Sequence, residues 1–566
     1  MLLRIDGHPV VAKPGQSLLD LIKQENMDAP ILSQRPLAAK IAGEVFNLNY
    51  IPVREMNVPE GRSTVRRAMD ASKGEIHLIC YNETAGKEVY TRTAQFVLFL
   101  AIHSLWPNAR AKMNCTVGKA LYIEVRTEDF SAEKLAAKVR QLVAQDIPLL
   151  RKRMQTTDAA DCFERDGQTD KARLLRWRSV PYFDVYTYDA FADYYYGELA
   201  PSTGYLQVWN ICPMDGGFMF LFPDDNAPDI AAKHEHMPKF LSVSLEGERW
   251  CELMHCETVA DLNELVHNDK IRELIRVNEA LHEKRFSQVA DMVCKKESKV
   301  VMLAGPSSSG KTTSANRLAT QLRVHGKEPV LFSLDDYYID RDKIFPGPDG
   351  ELDLEHINTI DTALFSEHIA LLLQGESVQI PTFDFKQGKR IWNKNRVLTL
   401  PKDAVIIVEG LHALNPVLLP MNVDSSLVFK LYVSPLLPLN LDDHNRIPTS
   451  LLRLLRRIVR DYKSRGASVQ KTISMWDSVR RGERRWIFPY QENADVIFNS
   501  STLYELSVLK GHIFPLLTEV QPEDSCYEQV RSIVKILNYV SQAKVDDEIP
   551  PTSIVREFIG GNTFYR

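Results

Sequence analysis

An α/β fold with a doubly wound parallel sheet is expected over residues 296–520, on three observations. The apolar run Val300-Val301-Met302-Leu303-Ala304 leads into Gly305-Pro306-Ser307-Ser308-Ser309-Gly310-Lys311-Thr312, and a helical pattern follows with Leu318 and Leu322 one turn apart. A second strand pattern, 329–334, runs into Asp335-Asp336. A third, Ala404-Val405-Ile406-Ile407-Val408, ends in Glu409-Gly410.

Strand, glycine-rich turn and helix in that order form the context of a phosphate-binding loop. Gly305 and Gly310 let the backbone of Pro306, Ser307, Ser308 and Ser309 wrap a phosphate with its N–H groups inward. The helix N-terminus adds partial positive charge. Lys311 is expected to reach the β- and γ-phosphates of ATP, Thr312 to ligate Mg²⁺, and Thr313 to touch the α-phosphate. Ligands of such sheets sit beyond the carboxyl ends of the strands. Asp335 therefore stands beside the γ-phosphate, able to hold Mg²⁺ and to take a proton from an attacking hydroxyl. Glu409 would meet the metal directly or through water. The bland alternatives are a solvated Asp-Asp turn and a helix-starting glutamate.

Nine arginines fall between 453 and 485, and Arg453, Arg457 and Arg460 share one helix face. A mobile flap over the triphosphate, with Arg457, Arg460 and Arg465 on the transferring phosphoryl group, is one expectation. An RNA-contacting patch is the other.

The 566 residues suggest several domains. The net charge of −5 gives no global field for nucleic acid, so any such binding is local. No apolar run approaches a membrane span, and the start lacks a signal-peptide pattern. Eight cysteines are scattered without a CxxC pair and are expected as reduced core residues of a cytoplasmic protein. A hairpin at Asp6-Gly7 and a capped helix at 17–22 mark a small unit over 1–60. A mixed region spans 61–257, with helices at 94–105 and 132–150 and strands through 181–223. Residues 258–295 are expected as a helical spacer, and 521–566 as a C-terminal helix and tail.

Residues 297–520 resemble the uridine kinase and phosphoribulokinase family of P-loop kinases. Gly305 to Thr312 fits GxxxxGK[ST], Ser333-Leu334-Asp335-Asp336-Tyr337-Tyr338 fits S-x-D-x-[FY]-Y, and Pro381-Thr382-Phe383-Asp384-Phe385 fits P-x-[YF]-D-F. Arg457-Ile458-Val459-Arg460-Asp461 fits the R-x-x-R-D helix, with Arg465-Gly466 entering a lid. The resemblance implies that Asp335 is the base and that Tyr338, Phe383 and Asp384 meet a nucleoside-like acceptor. It also implies that 352–356 is a ribose-binding loop in which Glu355 replaces the family's aspartate and shares its role with Asp353. The family's pyrimidine-reading histidine corresponds to Gly388. Residues 1–60 resemble the β-grasp TGS domain of threonyl-tRNA synthetases. Residues 61–257 resemble their α+β editing domain, with Ala101-Ile102-His103-Ser104-Leu105-Trp106-Pro107 as the echo. Arg92 and Phe96 stand where that domain has its H-x-x-x-H pair, so a retained fold without editing chemistry is expected.

The leading expectation is an ATP- and Mg²⁺-dependent kinase acting on a hydroxyl of a nucleoside-like small molecule. The rival is an RNA- or ribosome-associated regulatory NTPase whose front half binds tRNA or a nucleotide. A front half that only scaffolds or forms a homo-oligomer is the third.

Overall fold

The computed structural model describes residues 1–52, 75–178, 180–344, 353–418 and 423–564. The chain forms two compact units. One comprises residues 1–236 with 258–260 and 440–446; the other comprises 237–257, 261–439 and 447–566.

The first unit opens with the expected hairpin, β1 (Leu2–Ile5) and β2 (His8–Val11), turning on Asp6 (φ 46°) and Gly7 (φ 79°). Positive φ at both central residues matches the twist of a two-residue hairpin. Helix α1 (Leu18–Gln24) starts in a reciprocal cap between Ser17 and Asp20. β3 (Ala38–Ile41), β4 (Glu44–Phe46) and β5 (Glu75–Ile79) complete a sheet of order β2-β1-β5-β3-β4. The expected boundary at 60/61 falls in 53–74, outside the described residues. Residues 1–60 do not close this sheet, because β5 is its central strand.

Helix α2 (Thr84–Leu105) starts nearly three turns earlier than expected and ends at Trp106-Pro107. Its early turns bury Gly86, Val89, Tyr90 and Thr93 between polar residues, a mixture that hides the apolar stripe. β6 (Arg110–Val117), β7 (Ala120–Arg126), β11 (Asn210–Met214) and β12 (Gly217–Leu221) form an antiparallel sheet, and β8 (Arg151–Gln155), β9 (Tyr182–Tyr188) and β10 (Phe191–Asp193) a smaller one. Helix α3 (Ala132–Ala144) shares a core with α2. Arg92 Nε donates to Glu198 O at 3.0 Å, and Phe96 packs among Tyr186, Phe191 and Tyr195. Residues 440–446, expected inside the kinase-like region, belong to this unit. Arg110 donates twice to Asp443, at 2.7 and 2.9 Å, and His444 stacks on Phe99.

The second unit is built on a five-stranded parallel sheet of β13 (Val300–Ala304), β14 (Glu328–Ser333), β17 (Ala404–Glu409), β18 (Val428–Ser434) and β19 (Val496–Asn499), ordered β14-β17-β13-β18-β19. A separate hairpin, β15 (Val378–Asp384) and β16 (Lys389–Leu398), turns with Gly388 at φ 68°. β13 is buried on both faces, so it reads as a continuous apolar run. Val301 and Leu303 join one core and Val300, Met302 and Ala304 the other, with the two-residue period of a strand.

The first of these cores takes α9 (Lys311–Val324) and, against expectation, a long helix from the presumed spacer, Ile271–Lys295. Phe286, Val289, Ala290 and Val293 of that helix are at most 3% exposed. Each large apolar side chain so buried contributes about 1.5–3 kcal/mol. Arg317 of α9 pairs with its Glu279 and Glu283, so the helix is a structural layer of this unit. The eight cysteines are unbridged, and among the described residues no helix is long and apolar enough to cross a membrane.

Candidate active site

Strand register fixes the floor of the site. β17 lies between β14 and β13, and its last residue, Glu409, is level with Ser333 on one side and Leu303 on the other. The chain leaves β13 through Gly305 to Gly310 and enters α9 at Lys311. It leaves β14 through a 3₁₀ turn that carries Asp335. Phosphate loop, Glu409 and Asp335 therefore meet at one end of three adjacent strands, the end where such sheets bind ligands.

The loop is shaped by backbone demands. A Cβ on Gly305 would lie 2.1 Å from Val433 O, and Gly310 holds φ 85°. Among the described residues the hydroxyls of Ser308 and Ser309 are buried without a hydrogen-bond partner, a state that costs free energy unless a ligand supplies an acceptor. Lys311 Nζ donates to Pro306 O at 3.1 Å. Burial pushes its ammonium below the ordinary lysine range, while Glu409 and Asp335 pull it back up.

Thr312 Oγ1 lies 3.4 Å and Ser333 Oγ 3.3 Å from Glu409 Oε1. Burial, with Asp335 adding to it, raises Glu409 to about 7; Lys311 opposes the shift. Asp335 is raised for the same first reason and drawn down by Lys311, Arg465 and Arg460. Ser333 Oγ also accepts the Asp335 amide at 3.3 Å, so one hydroxyl ties the two carboxylate-bearing strand ends together. Thr312, Glu409 and Asp335 form a hard-oxygen set that suits Mg²⁺, an ion that takes one or two carboxylates and completes its shell with phosphate and water. Among the described residues no cluster of three His, Cys, Asp or Glu side chains could hold a metal by itself.

The arginines divide into two groups. Arg453, Arg456 and Arg457 lie on the helix Thr449–Arg465, and all three are buried. Arg453 pairs with Glu483 and donates to Ser307 O at 2.9 Å. Arg456 is held by Glu505 through 2.8 and 2.9 Å contacts and by Ser500 O at 2.8 Å. These two are struts under the loop, and they belong to neither a mobile flap nor an exposed RNA patch. Arg457 reaches Ser307 Oγ at 2.7 Å. Arg457, Arg460 and Arg465 converge on one carboxylate, Asp461, at 3.3, 2.9 and 3.5 Å. The three arginines expected at the phosphoryl group are thus gathered, and Gly466 at φ 63° ends their helix.

Ser307 departs from expectation in one respect. Its N–H donates to Glu483 Oε1 at 2.9 Å, so this amide serves the loop's scaffold. Glu483 is fully buried and was not legible as a site residue; its only local signal is Arg480 three positions earlier.

Around the acceptor side, Tyr338, Phe383 and Phe385 pack ring to ring with centroids 5.1–6.1 Å apart. Among the described residues Glu355 Oε2 is buried without a hydrogen-bond partner, while Asp353 accepts from Glu355 N and Trp486 Nε1. Leu352 of the expected ribose loop lies outside the described residues. Burial and then Glu483 raise Glu355 to about 7, against the pull of Arg457 and Lys311. Asp384 Oδ1 accepts from Lys386 N and Gln387 N at 2.8 and 3.1 Å, which gives it a turn-closing role in the β15–β16 hairpin. Gly388 occupies the same turn, where its positive φ disfavours any side chain. A cavity of about 430 Å³ lined by Trp250, Leu281, His282 and Arg285 shares no residue with this site.

The family model described as Phosphoribulokinase / Uridine kinase matches residues 300–507. A uridine kinase of Staphylococcus epidermidis is 32% identical over 199 residues, 35% of this chain and 86% of that protein. A uridine kinase of Aliivibrio salmonicida is 30% identical over 223 residues, 38% of this chain and 94% of that protein. The structure of a possible uridine kinase from Bacillus stearothermophilus aligns at 19% identity with a TM-score of 0.25, over 37% of this chain and 96% of that one.

Proposed function

Because the chain belongs to the phosphoribulokinase/uridine kinase family through residues 300–507, we propose that it transfers the γ-phosphoryl group of ATP to a hydroxyl of a nucleoside-like small molecule. The observation that carries this reading is the meeting of Lys311, Asp335 and Glu409 at the carboxyl ends of three neighbouring parallel strands.

Lys311 and the loop amides from Ser308 to Thr312 hold the triphosphate. Asp335 removes the acceptor's hydroxyl proton as its oxygen bonds to the γ-phosphorus and the bond to the β–γ bridging oxygen breaks, leaving ADP. Arg457, Arg460 and Arg465 stand where charge spreads over the phosphoryl oxygens. Thr312, Glu409 and Asp335 would hold Mg²⁺, which when bound neutralises charge on the β- and γ-phosphates. Tyr338 and Phe383 supply an apolar wall for a planar base, and Glu355 an acceptor for a sugar hydroxyl.

For the first unit we propose TGS-like and editing-type folds that have lost hydrolytic chemistry. Support comes from Arg92 and Phe96, which serve as a backbone tether and a core ring. Incubating the full chain with γ-labelled ATP and a nucleoside panel tests the reading: labelled nucleoside monophosphate is expected. ATP hydrolysis that requires added tRNA, with a gel shift and no labelled small molecule, would favour an RNA-linked NTPase instead.

Glu355 yields a pH prediction. An acid raised from 4.5 to about 7 keeps its proton below that value, so its contribution to folding stability declines as pH rises through this window. Binding has the opposite sign, because an ionised carboxylate accepts a stronger hydrogen bond. KM for the acceptor should fall several-fold as pH rises through about 7, and Glu355→Gln should flatten the profile. An unchanged slope in that variant would remove Glu355 from the acceptor site.

A further inference from the structure

The C-terminal segment reaches back to the phosphate loop, although it lies outside residues 300–507, to which the family match is confined. Glu557 Oε2 accepts from Thr313 Oγ1 at 2.7 Å and from Thr313 N at 3.3 Å. Asn562 Nδ2 donates to the same hydroxyl at 3.3 Å. Thr313 is the residue expected to meet the α-phosphate, and its amide and hydroxyl are the kind of donors a phosphate oxygen would use.

The contact is built rather than incidental. Ile554 and Phe558 are at most 1% exposed, in the core that α9 shares with the sheet. Ile554 lies so close to Gly310 that a Cβ there would be 2.4 Å from its Cγ2. Ser553 Oγ donates to Glu279 at 2.7 Å, Lys463 Nζ donates to Ile559 O at 2.7 Å, and the Phe558 ring sits under Arg456 at 4.8 Å. These anchors fix the short helix Arg556–Ile559 and leave the half-buried Glu557 side chain directed at Thr313. The carboxylate also adds negative charge to a place meant for a polyanion.

Resting on the nucleotide-site reading above, we propose that Glu557 is a built-in competitor for the α-phosphate position. It takes both Thr313 donors and must swing away when a nucleotide binds. Its side chain thereby lowers nucleotide affinity while the anchored backbone stays in place. A charged acceptor makes a hydrogen bond roughly twice as strong as a neutral one, and the competing like charge vanishes with it. Glu557→Gln should therefore tighten ADP binding by about ten-fold.

The test is calorimetric titration of the full chain with ADP, comparing wild type with Glu557→Gln, Glu557→Ala and, as control, Glu548→Gln. Glu548 is another tail carboxylate, paired with Arg272 and Arg276. Tightening in both Glu557 variants with unchanged affinity in Glu548→Gln supports the proposal. Unchanged or weaker binding in Glu557→Gln overturns it, and so does equal tightening in Glu548→Gln, which would assign the gain to net charge. Wild type that binds no ADP at all would bring down the nucleotide-site reading itself, and the competitor with it.

Discussion

Asp335→Asn is expected to lower kcat by about 10²–10⁴-fold while ATP still binds within a few-fold of wild type. The asparagine preserves shape but cannot take the acceptor's proton. Two neighbouring carboxylates are engaged elsewhere: Asp336 with Arg396 at 2.8 Å, and Glu409 with Thr312 and Ser333 on the metal side. Single-turnover assays with γ-labelled ATP, beside equilibrium binding of a non-hydrolysable analogue, separate the two quantities. Equal losses in binding and turnover would make Asp335 a binding residue only, and unchanged turnover would remove it from the chemistry.

The second large effect concerns stability. Glu505→Gln should destabilise the protein by about 3–5 kcal/mol, because it leaves the fully buried Arg456 guanidinium without its counter-charge. Arg456 also donates to Ser500 O, and Ser500 Oγ donates to Ser309 O at 2.5 Å. The loss should therefore reach the phosphate loop and weaken ATP binding as well. Denaturant unfolding followed by circular dichroism measures the first part. A change below about 1 kcal/mol would mean that the pair is solvated or replaceable, contrary to its complete burial.

What the sequence made legible was local. GxxxxGKT behind a five-residue apolar strand defines the loop, and carboxylates at strand ends define Asp335 and Glu409, because strand direction alone decides which end meets the ligand. What stayed hidden depends on pairs distant in the chain. Ser307 and Glu483 are 176 positions apart, and Thr313 and Glu557 are 244 apart, so no spacing rule connects them. The helix Ile271–Lys295 reads as a spacer in the sequence because charges interrupt its apolar face, yet Arg317 covers Glu279 and Glu283 and lets the rest of that face bury. β5 is not legible from the sequence because a strand of five residues carries little signal apart from the sheet it completes. Asp384 and Gly388 illustrate the reverse: a motif position drew a functional expectation where the hairpin turn supplies a sufficient structural reason.

The most direct measurement is a crystal structure of the full chain with a non-hydrolysable ATP analogue and Mg²⁺. The γ-phosphate is expected against Lys311, the Asp335 carboxylate facing it across the space for an acceptor hydroxyl, and Glu557 withdrawn from Thr313. A triphosphate bound away from Lys311, or an Asp335 carboxylate turned from the γ-phosphate with the arginines closed around it, would contradict it.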